Sequence, residues 1–229
     1  MTALSPEDWG IVALSLRISA VAIGGAAPFA FGCAWLLARG RFAGRVVLDA
    51  LVHLPLVLPP VVTGWLLLVA FGAQGWAGRL LADVGVTLMF RWTGAALASA
   101  VMAFPLMVRS MRLSLEAVDV RYEQAARTLG AGPARVFATI TLPLAMPGVM
   151  AGLVLGFARS LGEFGATVTF VSNIPGETAT LPLAIYSALQ VPGQEGAAMH
   201  LALVSVALSV AALLASEWLT RRMGGNRGL

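Results

Sequence analysis

Five long apolar runs dominate this sequence, and short polar segments separate them. The runs cover residues 11–38, 46–72, 92–113, 147–171 and 200–219. A helix needs about 20 mostly apolar residues to cross the hydrocarbon core of a bilayer. Only 11% of the residues are charged, against about 25% in soluble domains. The sequence therefore predicts an all-α fold in a lipid bilayer: one membrane domain, residues 1–229, built as a polytopic bundle of about five transmembrane helices.

The distribution of arginine predicts the orientation of these spans. The connector 39–45, the connector 115–146 and the C-terminal tail each carry three arginines; those of the tail are Arg221, Arg222 and Arg227. Segments rich in basic residues stay on the cytoplasmic side of a membrane. Five crossings then place the N-terminus outside and the C-terminus in the cytoplasm.

Residue content limits the chemistry of the chain. It has no lysine, so it lacks the P-loop signature, and any ATP used must be hydrolysed by another subunit. Its basic residues sit at the ends of apolar runs rather than on one polar face, which argues against nucleic acid as a partner. One cysteine and two histidines offer no metal site. A membrane haem protein with a single bis-histidine haem, and a passive channel, stay open as alternatives from other classes.

Two spans carry residues that bear on packing. The second run contains Pro55, Pro59 and Pro60, each of which lacks an amide donor and interrupts a helix. Backbone groups without a hydrogen-bond partner are tolerated in a membrane where neighbouring helices or a water-filled cavity satisfy them. This span is therefore expected against the bundle centre, a simple kink being the alternative.

The fourth run repeats glycine at 148, 152 and 156, which predicts a stripe of small residues for close helix packing.

The connector 115–146 is too polar to cross the membrane and is patterned as a helical hairpin. Asp119 is a candidate N-cap for its first helix. A turn follows at residues 130–133, Gly-Ala-Gly-Pro, because glycine ends helices and proline suits the first turn of the next. The second helix is expected over 134–142, and Pro143 and Pro147 mark the entry to the fourth span.

This hairpin also carries a family pattern. Residues 123–130 read Glu-Gln-Ala-Ala-Arg-Thr-Leu-Gly, and Ile140 and Leu142-Pro143 follow at fixed spacing. The segment resembles the EAA loop of ABC importer permeases, with Gln124 in place of the pattern's glutamate. The resemblance implies the type I permease fold and a cytoplasmic loop that docks on an ATPase subunit, which uses ATP and Mg while this chain binds no cofactor itself. The coupling residues it implies are Glu123, Gln124, Ala125, Ala126, Arg127, Gly130 and Pro133.

A second resemblance covers most of the chain. It is carried by residues 159–178, which read Arg-Ser-Leu-Gly-Glu-Phe-Gly-Ala-Thr-Val-Thr-Phe-Val-Ser-Asn-Ile-Pro-Gly-Glu-Thr, and by residues 181–186, 54–62 and 90–94. These segments are similar to molybdate permeases of the ABC class. The resemblance implies a bacterial inner-membrane importer that receives molybdate from a periplasmic or extracellular binding protein. Sulfate and tungstate stay open, because all three are tetrahedral dianions.

The fourth span carries the candidate translocation residues. Arg159 and Glu163 are four residues apart and are expected on one face of this span, where ionisable groups face the bundle interior. A local ion pair is one interpretation. In the other, the face lines the route, and Arg159 attracts the oxyanion. The full set of route candidates is Arg159, Ser160, Glu163, Thr167, Thr169, Pro59 and Pro60.

The segment 172–196 is rich in glycine, proline and polar residues, and it is expected to form a turn-bearing outer loop. It is a candidate docking surface for the binding protein, and a structured cap over the route is the alternative. The docking candidates are Ser172, Asn173, Pro175, Gly176, Glu177 and Thr178.

Five spans leave little interior for a route in one copy. A homodimer with the route on its two-fold axis is therefore expected. Two coupling loops would then meet two ATPase subunits, and alternating access follows from the resemblance alone.

Overall fold

The computed structural model describes residues 5–224. In this part of the chain the regular structure is helical, and short connecting segments but no strand are present. The all-α prediction is confirmed. The elements are α1 (Pro6–Arg39), α2 (Arg45–Val57), α3 (Pro60–Phe71), α4 (Trp76–Asp83), α5 (Trp92–Glu116), α6 (Val120–Thr128), α7 (Pro133–Val136), a π-helical turn (Phe137–Thr141), α8 (Leu142–Leu161), α9 (Gly165–Val171), α10 (Leu181–Leu189) and α11 (Glu195–Gly224).

Within these residues, four helices are long and apolar enough to cross a membrane, and there are five such spans if a bent pair of helices is counted as one. The four are Pro6–Arg39, Trp92–Glu116, Pro133–Leu161 and Glu195–Ala215. The pair is α2 and α3, which meet at an angle of 115°. The prediction of about five spans is confirmed. Pro59 and Pro60 have no amide hydrogen, so the backbone hydrogen bonds of α2 cannot continue into α3. The resulting bend is sharper than the simple kink considered from sequence.

The fourth span differs from its predicted bounds of 147–171. Its helix ends at Leu161, and α9 begins separately at Gly165. The Glu163 carboxylate accepts a hydrogen bond from the Ala166 amide at 2.9 Å, so it satisfies the first turn of a new helix. At the other end the span continues upstream without a break through the π-helical turn to Pro133, because Pro143 lies in the first turn of α8, where proline is tolerated.

Helices α1, α5 and α8 form the packed centre of the subunit. A Cβ added to Gly148 would lie 2.1 Å from the Ser114 Cβ, and one added to Gly152 would lie 3.1 Å from the Met107 carbonyl oxygen. The Ser110 hydroxyl also donates to the Gly148 carbonyl at 3.0 Å. The predicted glycine stripe is therefore the surface on which α8 meets α5.

The helical hairpin forms as predicted at its first helix and turn. The Asp119 carboxylate accepts from the Arg121 amide at 2.9 Å and caps α6. Gly130 has φ +84°, a backbone conformation that side-chain-bearing residues avoid, and Pro133 opens α7. The second helix is different from expectation, because it is partly π-helical and continues into α8.

The outer segment 172–196 is not only a loop. It contains α10, and α11 begins within it. Leu181 and Leu183 are buried, and the Leu181 amide donates to the Ser15 hydroxyl of α1 at 2.8 Å. Burial of these leucines and the proline in its first turn explain why a short helix forms in a segment otherwise rich in turn residues.

Candidate translocation route and coupling site

The two broken spans meet at their breaks. A Cβ added to Gly165, the first residue of α9, would lie 2.8 Å from the Cβ of Pro60, the first residue of α3. A Cβ added to Gly64 would lie 2.6 Å from the carbonyl oxygen of Ala166. Real Cβ atoms essentially never approach within 3.0 Å. The two glycines therefore let α3 and α9 pack backbone against backbone, which places Pro59 and Pro60 beside the break in the fourth span.

Arg159 and Glu163 form an ion pair at this junction. Arg159 Nη1 lies 2.7 Å from Glu163 Oε2, and the side chains are 28% and 1% exposed. The predicted shared helix face is wrong, because Glu163 lies in the break after α8 rather than in the helix. The ion pair considered from sequence is therefore present, and the alternative that this face lines the route stays a prediction. Part of the Arg159 side chain is exposed while its partner is buried.

Two hydroxyls predicted to line the route are buried in this conformation. Ser160 donates to the Ser19 hydroxyl at 3.0 Å, which joins α8 to α1. Thr167 is fully buried and, like Thr63, has a hydroxyl oxygen with no hydrogen-bond partner among residues 5–224. The Thr169 hydroxyl is half-buried and donates to the Gly165 carbonyl at 2.8 Å. Of the candidate residues, Pro59 and Pro60 are thus exposed, and Arg159 and Thr169 are half-buried.

Three further arginines, Arg17, Arg109 and Arg112, lie within the apolar runs and were not among the predicted site residues. Arg17 of α1 stacks on the Trp92 ring, with its guanidinium carbon 3.9 Å from the ring centroid. Arg109 is exposed on α5, whereas Arg112 of the same helix pairs with Asp49 at 2.9 Å. Ionisable residues inside apolar runs signal a functional site by default, and that rule applied to every run would have found all three.

The coupling helix α6 presents a mixed outer surface. Gln124, Ala125, Arg127 and Gly130 are exposed, as the prediction of a docking surface requires. Glu123 differs, because it is buried and faces its own subunit. Its Oε1 lies 3.0 Å from Arg39 Nη2 and accepts a hydrogen bond from the Thr141 hydroxyl at 2.8 Å. Among the implied coupling residues, Glu123 is therefore an internal contact of the subunit rather than part of its exposed surface.

Apolar side chains of the hairpin are also exposed, and sequence reasoning passed over them. They are Val120, Tyr122 and Leu129, with Leu129 88% exposed. Large apolar residues that project from a polar segment mark an interaction surface. Their residue type was the available signal, because large apolar side chains stand out in a segment that is too polar to cross the membrane.

The outer loop is held by its own hydrogen bonds. Thr178 is fully buried; its hydroxyl accepts from the Ile174 amide at 2.8 Å and donates to the Ser172 carbonyl at 3.0 Å. Asn173 donates to the Ser187 hydroxyl at 2.6 Å. Thr178 is thus an internal residue and not a contact for a partner.

The exposed docking candidates of this loop are Ser172, Pro175, Gly176 and Glu177. A cleft of about 990 Å³ lies beside them and is bounded by the first turns of α1 and α11. The loop therefore offers an accessible outer surface as well as a structured rim.

A family profile described as the inner membrane component of binding-protein-dependent transport systems matches residues 26–225. This match covers most of the chain. The chain belongs to this family. The permease is accordingly a multi-pass, non-catalytic membrane subunit, and the resemblance read from its EAA-like hairpin is confirmed at the level of the family.

Curated relatives of the permease are similar over almost their whole length. The molybdenum transport system permease protein of Escherichia coli is 58% identical over 95% of this chain and 96% of the relative. That of Haemophilus influenzae is 57% identical over 94% of each. The sulfate transport system permease protein of Salmonella typhimurium is 39% identical over 83% of this chain and 69% of the relative.

Solved structures with low sequence identity share the permease's fold. The chain superposes on a bacterial alginate ABC transporter with a TM-score of 0.74 at 17% identity, covering 96% of this chain and 80% of the other. An inward-facing methionine ABC transporter gives a TM-score of 0.73 at 17% identity, covering 96% and 99%. The type I ABC importer fold predicted from the hairpin is therefore confirmed.

Proposed function

We propose that this permease is the membrane-spanning subunit of an ATP-driven molybdate importer. The observation that carries the proposal is the 57–58% identity to molybdenum permeases across nearly the full chain. Identity to a sulfate permease is lower, at 39%, and covers less of both chains. The segment 159–178, which contains the Arg159–Glu163 junction, also carries the resemblance to molybdate permeases described from sequence.

The proposed assembly is a homodimer with two ATPase subunits and an external binding protein. Exposed apolar residues on α6 and on the turn after it support a docking surface for the ATPase. Exposed apolar faces on α2, α3 and α11 support a second copy and lipid as the neighbours within the membrane. In the proposed orientation the N-terminus is outside and the C-terminus is cytoplasmic. Arg227, which contributes to that assignment, lies outside the described residues.

The proposed mechanism begins at the hairpin. Closure of the ATPases on ATP and Mg moves α6, and the continuous helix from Pro133 to Leu161 carries this movement to the break at residues 162–164. The break is packed against α3, so the two broken spans move together. Opening alternates between the two sides of the membrane.

Arg159 is proposed as the cationic contact for the oxyanion on this route. Its pairing with buried Glu163 leaves little net charge at the junction, which suits a weak contact with a dianion. Weak contact is required because a conduit that holds its cargo tightly releases it slowly. Selection between oxyanions is therefore assigned mainly to the binding protein.

Reconstitution tests this proposal. The permease is assembled with its ATPase in lipid vesicles, and ATP hydrolysis is measured with the binding protein and molybdate, tungstate or sulfate. We expect stimulation by molybdate that requires both the binding protein and the ATPase, together with molybdate accumulation in the vesicles. Stimulation by sulfate alone would assign the chain to sulfate, and molybdate flux without the ATPase would refute an ATP-driven importer.

A further inference from the structure

A single half-buried arginine joins the end of α1 to the coupling hairpin. Arg39 Nη2 lies 3.0 Å from Glu123 Oε1, 3.2 Å from the Leu115 carbonyl and 3.5 Å from the Val118 carbonyl. The two carbonyls belong to the end of α5 and the connection to α6. One guanidinium group therefore holds three segments of the cytoplasmic side together.

The carboxylate of Glu123 extends this connection to the base of the fourth span. The oxygen that accepts from Arg39 also accepts from the Thr141 hydroxyl at 2.8 Å. Thr141 is the last residue of the π-helical turn, and its side chain is buried. Glu123 thus ties α6 to α1 through an ion pair and to the start of α8 through a hydrogen bond.

The same face of α1 contacts the π-helical turn a second time. Phe31, Trp35 and Arg39 follow at intervals of four residues and so lie on one helix face. The Trp35 and Phe137 rings meet edge to face with centroids 5.0 Å apart, and the Phe31 and Phe137 centroids are 6.1 Å apart. The last turns of α1 therefore pack on the turn through an aromatic cluster and, next to it, a buried polar one.

We propose that Arg39 is a positioning residue for energy coupling: through Glu123 it makes the hairpin and the cytoplasmic end of α1 move as one body when the ATPases close. Removing one partner of a buried ion pair strands the other and is strongly unfavourable, so the pair resists separation during the cycle. The inference rests on the proposed function. In this role Arg39 acts through Glu123 and needs no contact of its own with the oxyanion or the ATPase.

Through this pair, the cytoplasmic end of α1 moves with the hairpin during transport. Sequence motifs place coupling only in the hairpin, whose helix leads directly into α8. The Arg39–Glu123 pair adds a parallel connection to α1. This span also packs along α5, and its Ser19 hydroxyl accepts the hydrogen bond from Ser160. Movement of the hairpin therefore reaches the fourth span both through its own backbone and through the side of α1.

The test compares variants in the reconstituted complex with binding protein and molybdate. The variants are Arg39→Met, Arg39→Lys and Glu123→Gln. The matched control is Asp49→Asn, because Asp49 pairs with Arg112 at 2.9 Å on the same side of the subunit without contacting the hairpin. Activity is normalised to assembled complex measured by size-exclusion chromatography.

We expect Arg39→Met and Glu123→Gln to lower molybdate transported per ATP hydrolysed by about tenfold, within the range of coupling between sites. Arg39→Lys should recover part of the loss, and Asp49→Asn should match the parent. If assembled Arg39→Met complexes transport the parental amount per ATP, the pair is only a structural contact and the inference is wrong. Failure of the parent complex to respond to molybdate would instead refute the proposed function.

A second measurement covers the case in which Arg39→Met does not assemble. Spin labels are attached at Arg41→Cys and Arg121→Cys in a Cys33→Ser background, with labelled subunits diluted in unlabelled ones. The distance within one subunit is measured without nucleotide and with trapped ATP. We expect the two distributions to coincide, because both labels belong to one moving body. A shift between the two states would overturn the inference without reference to molybdate.

Discussion

Replacing Gly148 by alanine tests the closest helix contact in the subunit. The added Cβ would lie 2.1 Å from the Ser114 Cβ, about 1.3 Å short of the 3.4 Å at which ordinary van der Waals contact begins. The obstructing atom is fixed to the backbone of α5, so a rotamer change cannot relieve the clash. Helices α5 and α8 must separate locally.

The expected cost has two sources, the steric overlap itself and the hydrogen bonds that break when the helices separate. Overpacking costs about 1–3 kcal/mol. The bonds at risk run from Ser110 to Gly148 and from Ser114 to Ala145, both 3.0 Å long, and each is worth about 0.6 kcal/mol between membrane helices. We therefore expect Gly148→Ala to be less stable than a matched helical Gly→Ala control by about 2–4 kcal/mol.

Gly32→Ala in α1 is the matched control. It changes the same residue type inside a helix, and a Cβ there meets nothing within 4 Å, so both variants share the gain in helix propensity. The free energy of unfolding is measured by titration with SDS in mixed micelles, followed by circular dichroism. Equal stability of the two variants would refute the packing argument.

Removing the obstructing atom gives an independent check. In a Ser114→Gly background the Ser114 Cβ is absent, so Gly148→Ala should cost little more than Gly32→Ala there. A double-mutant cycle isolates this pairwise term from the intrinsic effect of each change. A cost for Gly148→Ala that is the same in both backgrounds would place the strain elsewhere in α8.

Three further changes test the functional surfaces. Gly130→Asp, at φ +84° on the hairpin turn, should abolish uptake and weaken co-purification with the ATPase while membrane insertion stays normal; parental transport would contradict the assigned role. Leu129→Glu places a charge on a side chain that is 88% exposed, so ATPase binding should weaken by about tenfold or more with unchanged subunit stability, and equal binding in a pull-down would show that this face is not the docking surface. Arg159→Ala strands the buried Glu163 carboxylate and should lower both the unfolding free energy, by about 3–5 kcal/mol, and uptake; Arg159→Lys should keep stability better, and an unchanged transport rate in Arg159→Ala would confine Arg159 to a structural role.

Much of the architecture could be predicted from local patterns. Apolar runs of sufficient length predict α1, α5 and α11, because crossing a membrane imposes a minimum length on a helix. The Asp119 cap and the Gly130 turn could be read from residue type, since each acts on its own backbone neighbours. The glycine stripe at 148, 152 and 156 was also sufficient to predict close packing, although not its partner.

The remaining features depend on contacts between distant residues. The break after Leu161 was hidden inside an apolar run, and its cause is the Glu163 cap together with the approach of Gly165 to Pro60. Burial of Glu123 required Arg39, which lies 84 residues earlier. Neither contact leaves a periodic signal in the sequence, so the hairpin's polar residues could not be divided into inward-facing and outward-facing ones.

The crossing of α3 and α9 has a consequence for how the membrane barrier can open. A continuous helix must bend along its length to swing aside, whereas a helix already interrupted can pivot by changing a few backbone torsions. Here the breaks of the two interrupted spans, at Pro59 and at residues 162–164, lie next to each other. The residues about which the two spans could turn are thus the same residues that pack α3 against α9. A side chain added at Gly64 or Gly165 is therefore expected both to hinder that movement and to weaken the packing of the two helices.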